Sequence, residues 1–164
     1  MATIRYLAYG SNLHPSRIGA RVGAITAIGT TSLPGWRLRF HKYSGDGSGK
    51  CNLAVDRSSI AFGAIYELSH RMKERLDEIE GVGNGYRDTK ITLPGFGDTW
   101  IYLAEPSHIK ECALPYDWYH GFVLKGAELN YFPNTYITEI RDVQAIQDPN
   151  ENRRNANLSI LRSI

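Results

Sequence analysis

From Ile4 to Tyr9 the chain is apolar or aromatic except at Arg5, a pattern that predicts a buried strand. Gly10-Ser11-Asn12 interrupts it with residues that tolerate positive φ or bond their own backbone. His14-Pro15 then suits a helix start, because the proline ring presets φ and its missing N–H would be unpaired there anyway. Arg17 to Val22 complete a short helix. A strand, a tight turn and a helix start aim several backbone N–H groups into one small space. Such a concavity suits a carboxylate, a phosphate or a developing oxyanion. The plainer reading is a strand ending in an ordinary turn.

Further along, Gly23 to Leu33 reads as a strand ended by Pro34-Gly35. Trp36 to His41 alternates, with Trp36, Leu38 and Phe40 on an inner face and Arg37, Arg39 and His41 on an outer one. Cys51 to Val55 and Ile60 to Leu68 read as strands around a turn at Asp56 to Ser59. Ser69 is a helix N-cap, Met72, Leu76 and Ile79 follow at helical spacing, and Gly81 stops the helix. Tyr86 to Leu93 and Asp98 to Ala104 form a hairpin across Pro94 to Gly97. Tyr116 to Leu129 and Pro133 to Ile146 carry helical periodicity. The polar tail after Asp148 ends in Leu158, Ile160 and Leu161, which predicts a last short helix docking on the body, with a frayed end as the alternative. Strands first and helices last predict an α+β fold: a strongly curved mixed or antiparallel sheet, closing into a small β-barrel, with flanking helices.

The 164 residues suit one domain spanning 1–164 with a substantial core. A net charge of +2, with basic residues scattered, argues against nucleic acid or an acidic membrane surface as partner. No apolar run approaches the ~20 residues of a membrane span, and the N-terminus lacks a signal-peptide layout, so a cytoplasmic protein is the default. Cys51 and Cys112 stand alone, and His14, His41, His70, His108 and His120 show no paired spacing, so no metal site is expected. The loop Ser44 to Gly49 followed by Lys50 superficially resembles a phosphate-binding loop. It has serine where the first glycine belongs and Cys51 where Ser or Thr is needed, and no helix follows. It reads as a mobile surface hairpin, with Lys50 facing an anionic substrate as the functional alternative.

Glu80 closes the acidic helix segment Leu76-Asp77-Glu78-Ile79-Glu80-Gly81. Helix-end carbonyls and partial burial both disfavour its charged form, which would move it toward proton transfer at neutral pH. Taken alone, it reads equally as a solvated-face residue beside Glu74, Asp77 and Glu78. Ser11 as a nucleophile needs a histidine within reach, and none is assigned. Trp36, Trp118 and Phe122 read as core. Asn157-Leu158-Ser159 spells a glycosylation sequon, which is irrelevant in a cytosolic protein.

Tyr9-Gly10-Ser11-Asn12-Leu13 together with Leu76 to Val82 resembles the gamma-glutamylcyclotransferase family. The resemblance continues through Gly85-Tyr86, Leu114 to Tyr119, Lys125-Gly126-Ala127 and Pro133 to Ile140. Arg39 to Lys42, with its glycine-rich loop, is similar to bacterial members. It implies a compact α+β fold around a small barrel and a pocket beside the Gly10 turn. It also implies an enzyme, cofactor-free, that cyclises a small-molecule gamma-glutamyl substrate to 5-oxoproline, as in glutathione metabolism. The implied roles are Glu80 as general acid/base, backbone N–H groups of Gly10, Ser11, Asn12 and Leu13 on substrate oxygens, and Tyr9, Tyr86 and Tyr119 as pocket walls. A non-catalytic metabolite-binding member, or a gamma-glutamylamine cyclotransferase, are the alternatives. The leaving group and the oligomeric state, a homodimer among the options, are left open.

Overall fold

The computed structural model describes residues 2–164. Five strands form one mixed, curled sheet, half a barrel, and five helices flank it. The sheet order is β2-β3-β1-β5-β4, which places the N-terminal strand at the centre. Strand β1 (Ile4–Ala8) lies antiparallel to β3 (Gly49–Leu68), with Leu7 opposite Ile65, and parallel to β5 (Gly97–Ala104). Leu7 and Ala8 are fully buried, as a central strand covered on both faces requires. Strand β4 (Tyr86–Leu93) closes one edge as a hairpin with β5.

Strand β2 (Gly29–Tyr43) begins six residues later than the pattern predicts, and Pro34-Gly35 does not end it. Pro34 pairs with Ile60 and Trp36 with Val55, so Gly35 faces the four residues Asp56 to Ser59. The turn chemistry at Asp56 is present: its carboxylate accepts from Ser58 N, Ser58 Oγ and Ser59 Oγ. It makes a bulge in one long strand rather than a boundary between two, and Pro34 is tolerated there because a bulge leaves a residue out of the ladder. A second register shift lies between Arg39 and Lys42. It breaks the expected alternation, so Phe40, His41 and Lys42 are all buried while Trp36 and Leu38 are only half-buried. His41, expected outside, is therefore inside.

Helix α1 (Pro15–Val22) starts directly after a single turn of 3₁₀ helix at Ser11–Leu13. Helix α2 (His70–Glu80) is capped by Ser69 Oγ, which accepts from Met72 N at 3.2 Å, and ends at Gly81 in the left-handed conformation. Its buried face differs from the prediction. Lys73 and Leu76 are buried, Met72 is half-buried, and Ile79 is 40% exposed. Lys73 is admitted because Asp77 and Asp88 pair with its ammonium, so Asp77 serves that pair instead of a solvated face.

Helix α3 (Asp117–Leu129) packs its Trp118, Tyr119, Phe122 and Val123 into the core. It crosses the Ser11–Leu13 turn at Gly126, where a Cβ would sit 2.5 Å from Leu13 Cβ and 2.8 Å from His14 N. Only glycine lets the helix back come this close. Helix α4 (Asn134–Arg141) ends five residues before the predicted Ile146. Ile146 is taken by a parallel bridge to Tyr116, donating to Pro115 O and accepting from Asp117 N, which helical backbone could not do. The tail forms helix α5 (Glu151–Leu161), docked against α3 and α1 as the first alternative predicted. Asp148, fully buried, anchors it by accepting from Trp118 Nε1 at 2.8 Å and from Arg153 Nε at 2.7 Å.

Candidate active site

The turn after β1, the end of α2 and the first residues of β3 and β4 converge on a cavity of about 140 Å³. Tyr9, Gly10, Ser11 and Asn12 form one wall, Glu80 and Ile79 a second, and Tyr86 and Tyr119 a third. The sequence-predicted residues are therefore together, with one exception. Leu13 lies behind the turn, fully buried, and its N–H is spent on Gly10 O at 3.1 Å. Among the described residues the N–H groups of Gly10, Ser11 and Asn12 meet no protein acceptor, so three unpaired donors rather than four belong to residues that line the cavity.

The turn does not use positive φ. Gly10 sits at φ −116° and ψ −133°, and it is required by proximity instead. A Cβ there would lie 2.9 Å from Cys51 Cβ and 3.4 Å from the Tyr119 hydroxyl oxygen. Tyr119 accepts from Cys51 N at 2.9 Å, and Tyr86 donates to Cys51 O at 2.6 Å. Tyr9 donates to Tyr102 O. The three tyrosines thus fasten the walls to the strand backbones, and burial holds each phenol well above its ordinary pKa. Burial likewise pushes the Cys51 thiol up to about 12, which keeps it protonated at neutral pH.

Glu80 is oriented by two partners that its own helix does not supply. Its Oε1 accepts from Arg21 at 2.7 Å and from Asn12 Nδ2 at 3.0 Å, and Asn12 also donates to the Tyr6 hydroxyl at 3.0 Å. Arg21 in turn reaches Asn12 Oδ1 at 3.2 Å. The sequence-based expectation counted helix-end repulsion and burial but not this guanidinium, which compensates the carboxylate's charge directly. Oε2 accepts no hydrogen bond from the protein among the described residues, so one carboxylate oxygen is fixed and the other is unengaged.

The cavity is lined by four cations, Arg17, Arg21, Lys42 and Lys50, and by one carboxylate, Glu80. Of the cations, the sequence pointed only to Lys50. Lys50 is tied to Asp46 at 2.9 Å and lies 4.6 Å from the Trp118 ring centre, and burial pulls it down to about 8. Asp46 also accepts from Ser48 N and Ser48 Oγ, and Tyr116 donates to its carbonyl. The Ser44–Gly49 loop is thus fastened to the body, not the free hairpin expected. Arg17 and Arg21 are four apart on α1, a spacing that puts them on one face and was legible in the sequence. Lys42 carried no such signal, because a β-bulge turns it inward. No histidine lines the cavity, and no cluster of metal-ligating side chains occurs among the described residues. Ser11 accordingly shares the cavity with no histidine.

The described residues contain no helix long and apolar enough to cross a membrane. A search of curated proteins finds no match. Among solved structures, one named gamma-glutamyl cyclotransferase superposes with a TM-score of 0.79 at 20% identity, over 96% of this chain and 99% of that one. An uncharacterised human protein gives 0.80 at 20% identity, over 99% and 100%. A Bacillus subtilis protein, YkqA, gives 0.69 at 20% identity, over 89% of this chain and 57% of its own. At these identities the likeness is one of fold. The sequence profile described as "Gamma-glutamyl cyclotransferase, AIG2-like" matches residues 6–120, a span that holds the turn, Glu80 and every cation of the cavity, and the chain belongs to that family.

Proposed function

We propose that this protein is a gamma-glutamyl cyclotransferase that converts a gamma-glutamyl amide into 5-oxoproline and a free amine or amino acid. The observation that carries this reading is the geometry of Glu80, which lines the cavity with Oε1 held by Arg21 and Asn12 and with Oε2 accepting no hydrogen bond among the described residues. The substrate's own α-amine is the nucleophile. Glu80 Oε2 takes a proton from the ammonium, the freed nitrogen attacks the γ-carbonyl carbon, and the new C–N bond closes the five-membered ring. That proton passes from Glu80 to the departing nitrogen as the original amide C–N bond breaks, and the second proton that the attacking nitrogen sheds follows through the same carboxylate, so the products are the lactam N–H and an ammonium. Negative charge that develops on the carbonyl oxygen is met by N–H groups of Gly10, Ser11 and Asn12, already oriented and with no protein acceptor to give up.

The enzyme's main contribution is to hold the substrate folded, because an intramolecular attack within a bound near-attack geometry removes most of the entropic barrier. The tyrosine walls suit that task, since their hydroxyls are committed to backbone groups and their rings cannot swing freely. Incubation with a panel of gamma-glutamyl amides, scoring 5-oxoproline and released amine, tests the reading. Release of 5-oxoproline in stoichiometric amounts supports it. Binding without turnover across the panel would favour a metabolite-binding role.

A further inference from the structure

Helix α5 lies outside residues 6–120, the span that the family profile matches, yet one of its side chains holds a residue of the cavity wall. Asn157 Oδ1 accepts from the Arg17 guanidinium at 2.8 Å, between residues 140 positions apart. Among the described residues this is the only hydrogen bond of the Arg17 side chain, and Arg17 Nε is buried with no acceptor. The other support comes from α3, where the guanidinium carbon lies 4.9 Å from the Phe122 ring centre and 5.4 Å from that of Trp118. Ring faces hold a guanidinium at a height but do not fix its direction, so the directional contact is the one from Asn157.

The Asn157 amide is itself oriented by its own helix. Its Nδ2 donates to Arg153 O, one turn back, at 2.9 Å, which leaves the oxygen for Arg17. Asn157 opens the sequon seen in the sequence, and both ends of its amide are engaged inside the protein. No residue of α5 is fully buried, and ion pairs of Arg153 with Asp148 and Arg154 with Asp117 fasten it to the body. Where the Arg17 guanidinium sits matters because its charge and that of Glu80 act on each other. Burial pulls the guanidinium down to about 9, and the Glu80 carboxylate acts in the opposite direction. A long, flexible side chain that loses its one hydrogen-bond partner regains rotamer freedom, and the wall loses a fixed charge. Resting on the cyclotransferase reading, we infer that Asn157 is a positioning residue of the active site: it fixes Arg17 at the cavity wall, which makes the C-terminal helix part of the substrate-binding machinery.

The test measures kcat and KM separately, on gamma-glutamyl-alanine, for Asn157→Leu, which keeps the size of the side chain and removes the acceptor. KM should rise about tenfold, the lower end for a hydrogen bond to a charged group, with kcat within about twofold of wild type. Asn157→Gln retains a carboxamide oxygen and should recover most of the loss. Arg154→Ala is the control, because it loosens α5 at Asp117 without touching Arg17: its thermal unfolding midpoint should fall while KM stays at the wild-type value. In an Arg17→Met background, Asn157→Leu should raise KM no further. An unchanged KM in Asn157→Leu overturns the inference. So does an equal rise in Arg154→Ala, which would make helix docking the cause, or a full Asn157→Leu effect in the Arg17→Met background. Each of these results is compatible with cyclotransferase activity. Absence of 5-oxoproline from every gamma-glutamyl compound would instead defeat the parent reading, and this inference with it.

Discussion

At the scale of single residues, Glu80 and Gly10 carry the sharpest expectations. Glu80→Gln keeps shape and hydrogen-bonding capacity but cannot accept the substrate's proton. Turnover of a gamma-glutamyl amide should fall by at least the ~10²-fold of a lost general base, with a thermal unfolding midpoint close to wild type. Near-normal turnover in that variant would place the proton shuttle elsewhere. Gly10→Ala adds one methyl group at a point 2.9 Å from Cys51 Cβ, which is backbone-anchored and cannot yield. The turn must move instead, and with it the three N–H donors. KM should rise about tenfold or more, since a displacement of this kind disturbs bound geometry more than chemistry. A crystal structure of the variant with the turn unmoved, and KM unchanged, would contradict this. The Gly10 turn was readable from a local pattern, whereas Glu80 stood out from its acidic neighbours only through the family resemblance. Arg21 and Asn12, which orient the carboxylate, were not read as its partners, because their contact joins residues 59 and 68 positions away.

At the scale of elements, docking of α5 depends on one buried carboxylate. Asp148 accepts from Trp118 Nε1, Arg153 and Asn150 N, and the Arg153 guanidinium leads the effects that hold its carboxyl well below the usual carboxylate range. Asp148→Ala strands the Trp118 N–H and removes Arg153's counter-charge, at an expected cost of about 2–3 kcal/mol by denaturant unfolding. The sign of its pH dependence follows from the lowered pKa. A carboxylate that is stronger in the folded state stabilises fully above its unfolded value of ~3.9, and that contribution is lost as pH falls below it. The wild type should therefore lead the variant at pH 7, and the gap should narrow below about pH 4. A gap that stays constant into acid would show that packing, not the charge, holds α5. Element types were largely legible, since period-two and helical patterns and the caps at Ser69 and Gly81 are local. Element ends were not. Ile146 left the helical pattern for a bridge to Tyr116, and Asp56 to Ser59 made a bulge where the turn chemistry suggested a break.

At the scale of the whole molecule, the proposed reaction draws its nucleophile from the substrate. Chelators, thiol-alkylating reagents and serine-directed phosphonates are each expected to leave turnover intact. Cys112 is exposed and should be alkylated without loss, while Cys51 is buried with its thiol protonated. Substrates acylated on the α-amine should bind without turning over. Hydrolysis of one to free acylated glutamate, detected by mass spectrometry, would make water or a side chain the attacker and the protein a hydrolase. The proposed chemistry could be read from the sequence because the residues assigned to it lie in two short continuous stretches, the turn after β1 and the end of α2. Hydrophobic period, capping and glycine positions are local properties, and they determined the α+β class, the buried first strand and the two halves of the candidate site. The charge inside the cavity was decided only by the tertiary structure. Lys42 turns inward through a register shift between two long strands, Arg17 rests beside the Trp118 and Phe122 rings of α3, and Arg21 finds Glu80 across helices. Each of these depends on where separate elements come to rest against one another, and a pattern of neighbours along the chain holds no information about that distance.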